Sequence, residues 1–95
     1  MPRTRNALTA EQRAAAFKAL GESTRLRIVD FLRERSEEAT GTEVAEESGI
    51  SLALLCHHAD ALVESGLVIK RKEGQTSYWR INRDVFELLV RDLDG

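Results

Sequence analysis

The chain has 95 residues, 42% of them hydrophobic and 32% charged, with a formal net charge of −2. That suits a single soluble globular domain over residues 1–95, with a core small enough that oligomerisation is a natural source of added stability. No apolar run approaches the roughly 20 residues that cross a bilayer, "MPRTRNALTAEQR" lacks the apolar region of a secretory signal, and one cysteine closes no internal disulfide, so a cytoplasmic protein is expected.

The first predicted element is a helix over residues 10–20, "AEQRAAAFKAL". Thr9 is placed to cap it, Gln12 completes a capping box, and Gly21 stops it. Ser23 is the expected cap of a second helix, "TRLRIVDFLRER", in which Leu26, Ile28, Val29, Phe31 and Leu32 form an apolar stripe. "SEEATG" interrupts the pattern. Thr42 is the expected cap of a short helix, "EVAEES", closed by Gly49. Ser51 caps a fourth helix that runs to about Ser65, where Gly66 ends it. "LVIKRK" and "TSYWRI", separated by "EGQ", read as a β-hairpin. Asp84 is the expected cap of a last helix, "VFELLVRDL".

Five helices and a small hairpin define a mainly α fold. The third and fourth helices, joined through Gly49, have the helix-turn-helix pattern, and the hairpin directly after them forms a two-stranded wing. Such a unit lays its second helix in the major groove of double-stranded DNA. Charge is distributed to match. Arg3, Arg5, Arg13, Lys18, Arg25 and Arg27 against Glu11 and Glu22 leave residues 1–27 at +4. Lys70, Arg71, Lys72, Arg80 and Arg83 against Glu73 leave residues 67–83 at +4. Mixed charge of this kind also serves solubility alone.

"ALGESTRLRIVDFL", "TEVAEESGISLALLCHHADALVESGLV" and "KRKEGQTSYWRI", in this order and spacing, resemble the ArsR/SmtB family of winged-helix repressors from about Phe17 to Ile81. The resemblance implies a homodimer whose first and last helices pair, through Phe17 and Leu20 in one and Val85, Leu88, Leu89 and Leu93 in the other. It also implies a repressor on a palindromic operator. Base-facing positions would be Ser51, Leu52, Ala53, Cys56 and His57. Thr42, Lys70, Lys72, Gln75 and Thr76 would hold the phosphate backbone.

Cys56, His57 and His58 are adjacent, which invites a metal or redox reading. Consecutive helical residues point about 100° apart and do not converge. The metal sites of the resembling family need cysteines in the third helix or histidines in the last, and this chain has neither. No metal and no cofactor is therefore expected, and catalysis is set aside because neighbours on one helix cannot form a Cys–His pair with an orienting third group. A thiol-responsive regulator acting through Cys56 stays open, with any small-molecule effector unknown. The fourth helix carries Asp60 and Glu64 and no Lys or Arg, and Leu52, which is hard to bury, together with Leu54 leaves a protein-interaction module, with both in a partner groove, as the competing function. Leu54 and Leu55 are expected beneath the hairpin. Affinity for DNA would then come from the wing and from Arg25 and Arg27.

Overall fold

A computed structural model describes the backbone of residues 7–94 and the side chains of residues 7–91. The elements run α1 (Ala10–Leu20), α2 (Ser23–Arg33), β1 (Ala39–Thr40), α3 (Gly41–Ser48), α4 (Leu52–Glu64), β2 (Val68–Glu73), β3 (Thr76–Ile81) and α5 (Arg83–Asp94). The five helices and the hairpin stand as expected. "SEEATG", read as a break, also supplies a third strand. Residues 39–40 pair antiparallel with Trp79 and Tyr78, giving a sheet in the order β1-β3-β2. Two residues are too few to show an alternating pattern, so composition alone hides such a strand.

Three caps differ by one or two residues from expectation. Glu22, not Ser23, caps α2 by accepting from the Arg25 backbone N–H at 3.1 Å. Thr40, not Thr42, caps α3, and its capping box closes with Glu43: the Glu43 N–H donates to Thr40 Oγ1 at 3.2 Å, and the Thr40 N–H donates to Glu43 Oε1 at 2.9 Å. Asn82, not Asp84, accepts from the Val85 N–H ahead of α5. In each case the nearer acceptor reaches an orphan N–H of the first turn.

The core is built around α2 and α4. Ile28 and Leu32 meet Val44, Leu55, Leu62 and Leu67, all at most 2% exposed. On α4 the buried residues Leu55, His58, Ala59 and Leu62 recur at i, i+3, i+4 and i+7, one stripe of a helix. α1 turns only Ala16 and Ala19 fully inward, and these small side chains let its backbone lie close to the rest. Trp79, Ile81 and Val68 bring the base of the hairpin onto the same core. No helix among the described residues is long and apolar enough to cross a membrane.

The Glu43 carboxyl is held below its ordinary value of 4.5, first by the Thr40 backbone N–H, with Arg35 adding to the effect. Folding thus favours the ionised form. The stability it contributes is in place above the ordinary carboxylate pKa and drains away as pH falls through the lower, folded value. Urea midpoints measured from pH 6 down to pH 3 should fall less steeply for Glu43→Gln than for the parent chain. Equal slopes would mean that the capping box carries no proton linkage.

Candidate nucleic-acid interface

α3 and α4 are joined by a tight turn at Gly49, whose φ of 70° lies in the left-handed region that side chains with a Cβ resist. The Ile50 N–H donates back to the Ala45 carbonyl at 3.1 Å, closing the helix end. Ser51 Oγ then accepts from the Leu54 N–H at 3.1 Å and starts α4. The result is a helix-turn-helix whose second helix turns its unburied side to solvent. Ser51, Leu52, Ala53, Cys56, His57 and Asp60 are all exposed. Leu52 is 51% exposed. Leu54, expected beneath the hairpin, is instead 45% exposed, while Leu55 next to it is fully buried. The hairpin touches only one flank of α4, and residue 54 lies on the other.

Leu52 and Cys56, four residues apart, share the flank that faces the hairpin. They line a cleft of about 300 Å³ together with the start of α3 at residues 40–42 and Gln75, Thr76, Ser77 and Trp79. Gly41 allows this closeness. A Cβ there would lie 2.9 Å from Trp79 Cζ3 and 3.2 Å from Leu52 Cδ1, too tight for any side chain without movement. The sequence reading missed Gly41 and Trp79. The Thr40-x-x-Glu43 box was the available signal, since it moves the start of α3 onto Gly41.

The register of the hairpin separates its three consecutive cations. Lys70 pairs with Trp79, and Lys72 with Ser77, so both lysines stand on the sheet face that carries those two cleft residues. Lys70 Nζ lies 5.8 Å from the centre of the Trp79 ring. Arg71 pairs with Tyr78 and stands on the opposite face. There its guanidinium grips Glu38, with Nη2 donating to Oε1 at 2.8 Å and Nε to Oε2 at 3.0 Å, and it stacks over Tyr78. The Arg71 bond holds the Glu38 carboxyl below its ordinary range. Arg71 is thus committed to an internal pair, and two exposed lysines form the wing's basic face. β2 is also the edge of the sheet, where lysines discourage strand pairing with other chains.

The histidines divide. His57 is exposed beside Cys56, whereas His58 is buried against α2. Arg25 Nε donates to His58 Nδ1 at 3.3 Å, and Glu22 Oε1 lies 3.9 Å from the same nitrogen. Arg25, expected to serve DNA, is therefore occupied within the chain. Among the described residues, no three His, Cys, Asp or Glu side chains come together as a metal-holding group.

A helix-turn-helix with an exposed second helix and a lysine-bearing hairpin beside it is the architecture of a winged-helix DNA-binding protein. Residues 22–70 match the family of bacterial regulatory proteins of the arsR type. The chain is similar to the helix-turn-helix regulator YceK of Bacillus subtilis (strain 168), 35% identical over 79% of this chain and 75% of that protein. It is also similar to the arsenical resistance operon repressor of Staphylococcus aureus, 30% identical over 82% of this chain and 73% of that one. Among solved structures, the homodimeric winged helix-turn-helix DNA-binding domain of a possible ArsR-family regulator from Mycobacterium bovis superposes with a TM-score of 0.74. It is 33% identical, covering 87% of this chain and 76% of that one. The chain belongs to the ArsR family of winged-helix transcriptional regulators, and it is a DNA-binding regulator rather than an enzyme.

Proposed function

We propose that the chain is a repressor that binds a palindromic operator as a homodimer and carries none of the family's metal-ligand sets. One observation carries this reading. The flank of α4 with Leu52 and Cys56, the start of α3 with Thr42, and the hairpin turn with Gln75 and Thr76 enclose one open cleft. The exposed Ser51, Ala53 and His57 continue that surface along α4, and Lys70 and Lys72 flank it on the wing. Bases would meet the α4 residues, while phosphates would meet the lysines, Thr42 and the hairpin turn. Exposed Leu52 and Leu54 favour the protein-interaction alternative. The basic face of the wing favours DNA. Cys56 is exposed and has no second cysteine in the chain, so a thiol response would require an external thiol or an oxidised monomer form.

The proposed dimer face shares no lining residue with this cleft. Phe17 and Val90 are each 42% exposed, and Leu26 is 44% exposed. Together with Leu20 and Phe86 they border an apolar cleft of about 240 Å³. Of the residues expected there, Val85 and Leu88 are half-buried and Leu89 is 2% exposed, so Leu89 serves the chain's own core. Leu93 has its side chain outside the described residues. The homodimeric Mycobacterium bovis relative supports a homodimer. Light scattering should give the mass of two chains in solution and two chains per bound duplex. The double variant Phe17→Glu, Val90→Glu should give one chain with unchanged helix content. A single-chain mass for the parent at micromolar concentration would end the dimer reading.

A further inference from the structure

A second polar cavity, about 250 Å³, lies at the base of the hairpin, between the end of α2 and the start of α5. It stands apart from the cleft just described and shares no lining residue with it. Three arginines line it: Arg35 from the segment after α2, Arg80 from β3 and Arg83 from the first turn of α5. Their surroundings leave them incompletely satisfied. Arg80 is exposed and makes no hydrogen bond or close ion pair among the described residues, although its charge adds to the effect that holds the Glu38 carboxyl ionised. Arg83 is braced through one nitrogen only, its Nη2 donating to the Arg35 carbonyl at 2.8 Å and to the Arg33 carbonyl at 3.4 Å. Arg35 donates from Nη2 to the Glu38 carbonyl at 3.4 Å, keeps the same nitrogen 3.6 Å from Glu43 Oε2 and lies over the Phe31 ring, while its Nε is buried without an acceptor.

An orphaned buried donor on a charged group is costly, and native structures normally pair it. Three arginines from separate parts of the chain line this one cavity, and arginine is the side chain whose planar, multidentate donors recognise phosphate and carboxylate oxygens. The start of α5 opens onto the same cavity, and its positive end adds to the preference for an anion. Glu37 and Asp84 also line the wall and oppose a large negative charge. The cavity is below the usual 300–1,000 Å³ of drug-sized sites, which favours a small ligand.

We propose that this cavity binds one small oxyanion, a phosphate group or a short carboxylate, between Arg35, Arg80 and Arg83. The site has a route to the DNA-facing surface. An anion that draws Arg35 toward itself competes with Glu43, the residue that closes the capping box at the start of α3. Glu43 would be left less neutralised beside Thr42, and binding of DNA phosphate there would weaken. This consequence rests on the DNA-binding reading; the anion site does not.

Calorimetric titration of the full chain with inorganic phosphate, against sodium chloride at matched ionic strength, tests the site without DNA. One saturable event per chain is expected. Arg80→Ala breaks no internal bond and should weaken the event by about tenfold, the loss of one charge-assisted hydrogen bond. Lys18→Ala, which removes an exposed cation on α1 outside the cavity, should leave it unchanged. Absence of saturable heat, or equal weakening by both variants, would overturn the proposal. If phosphate gives no event while Arg80→Ala weakens binding to a duplex, the arginines serve the DNA backbone and the small-ligand site is refuted. If phosphate binds but leaves duplex affinity unchanged at constant ionic strength, the site stands and the link through Glu43 falls.

Discussion

Replacing Lys70 and Lys72 together by alanine is expected to weaken binding to a mixed-sequence duplex roughly thirty-fold or more. The two lysines stand on one face of the edge strand and have no carboxylate partner among the described residues. A dimer presents four of them. At about 0.5–1 kcal/mol for each exposed ionic contact, their loss removes about 2–4 kcal/mol. Each lysine that meets a phosphate also releases a counterion, so the slope of log K against log salt should become shallower by about 0.9 per contact. The loss should be the same for every duplex sequence, because phosphates carry no base identity. Arg71→Ala should behave differently. Its guanidinium is already held by Glu38 and Glu73, so its removal should leave the salt slope nearly unchanged. Anisotropy titrations at two salt concentrations distinguish these outcomes. A slope unaltered by the double lysine variant would exclude the wing from backbone contact.

Leu62→Ala should cost about 2–5 kcal/mol of stability, the range for deleting a buried leucine side chain. Leu62 is fully buried on the inner stripe of α4, in the same core as Ile28 and Leu32 of α2. For a domain of this size, each kcal/mol moves the melting temperature by about 4–8 °C, so a fall of at least about 8 °C is expected. Leu54→Ala, at a half-exposed position on the same helix, should cost less than about 1 kcal/mol. Both measurements need the same protein concentration, because the proposed dimer would add to apparent stability. Equal costs at the two positions would contradict the orientation assigned to α4, and with it the identity of the side that faces DNA.

The contrast between Leu54 and Leu62 also shows where sequence reasoning reached its limit. Helical period and cap residues placed all five helices, because those signals are local. The same period assigns Leu55, His58, Ala59 and Leu62 to one face. It does not reveal how far a neighbouring hairpin extends over a flank, so Leu54 was expected to be covered. Arg71 is a similar case. In the sequence it is the middle of three cations, but strand alternation sends it to the other face, where Glu38 waits 33 positions earlier in the chain. Partners that distant are set by the sheet order. β1 escaped because its two residues form a strand only by pairing with β3. Gly41 was read as part of a break, although it marks the point where the start of α3 passes closest to Trp79. Of the residues expected to meet DNA, Thr42, Leu52, Cys56, Gln75 and Thr76 line one cleft. Arg25 was expected to aid binding from the N-terminal half but bonds instead to His58.

The composition of α4 shapes what this surface can recognise. Its exposed side offers the Ser51 hydroxyl, the His57 imidazole and the Cys56 thiol as polar groups, beside Leu52, Ala53 and Asp60. With no Lys or Arg on the helix, bidentate reading of guanine is not available there. Leu52 and Ala53 suit thymine methyl groups, and sequence-dependent groove shape supplies further discrimination. The expected operator is therefore rich in A·T steps at the positions under α4, repeated with two-fold symmetry.

The most direct test of the account is selection of bound sequences from a random duplex pool by the full chain, at low and moderate salt. Enrichment of a two-fold symmetric sequence, with half-sites one helical turn or a multiple of it apart, is the result expected of a dimer reading DNA through α4. Retention of duplexes without any enriched sequence, or no retention at either salt concentration, would contradict it.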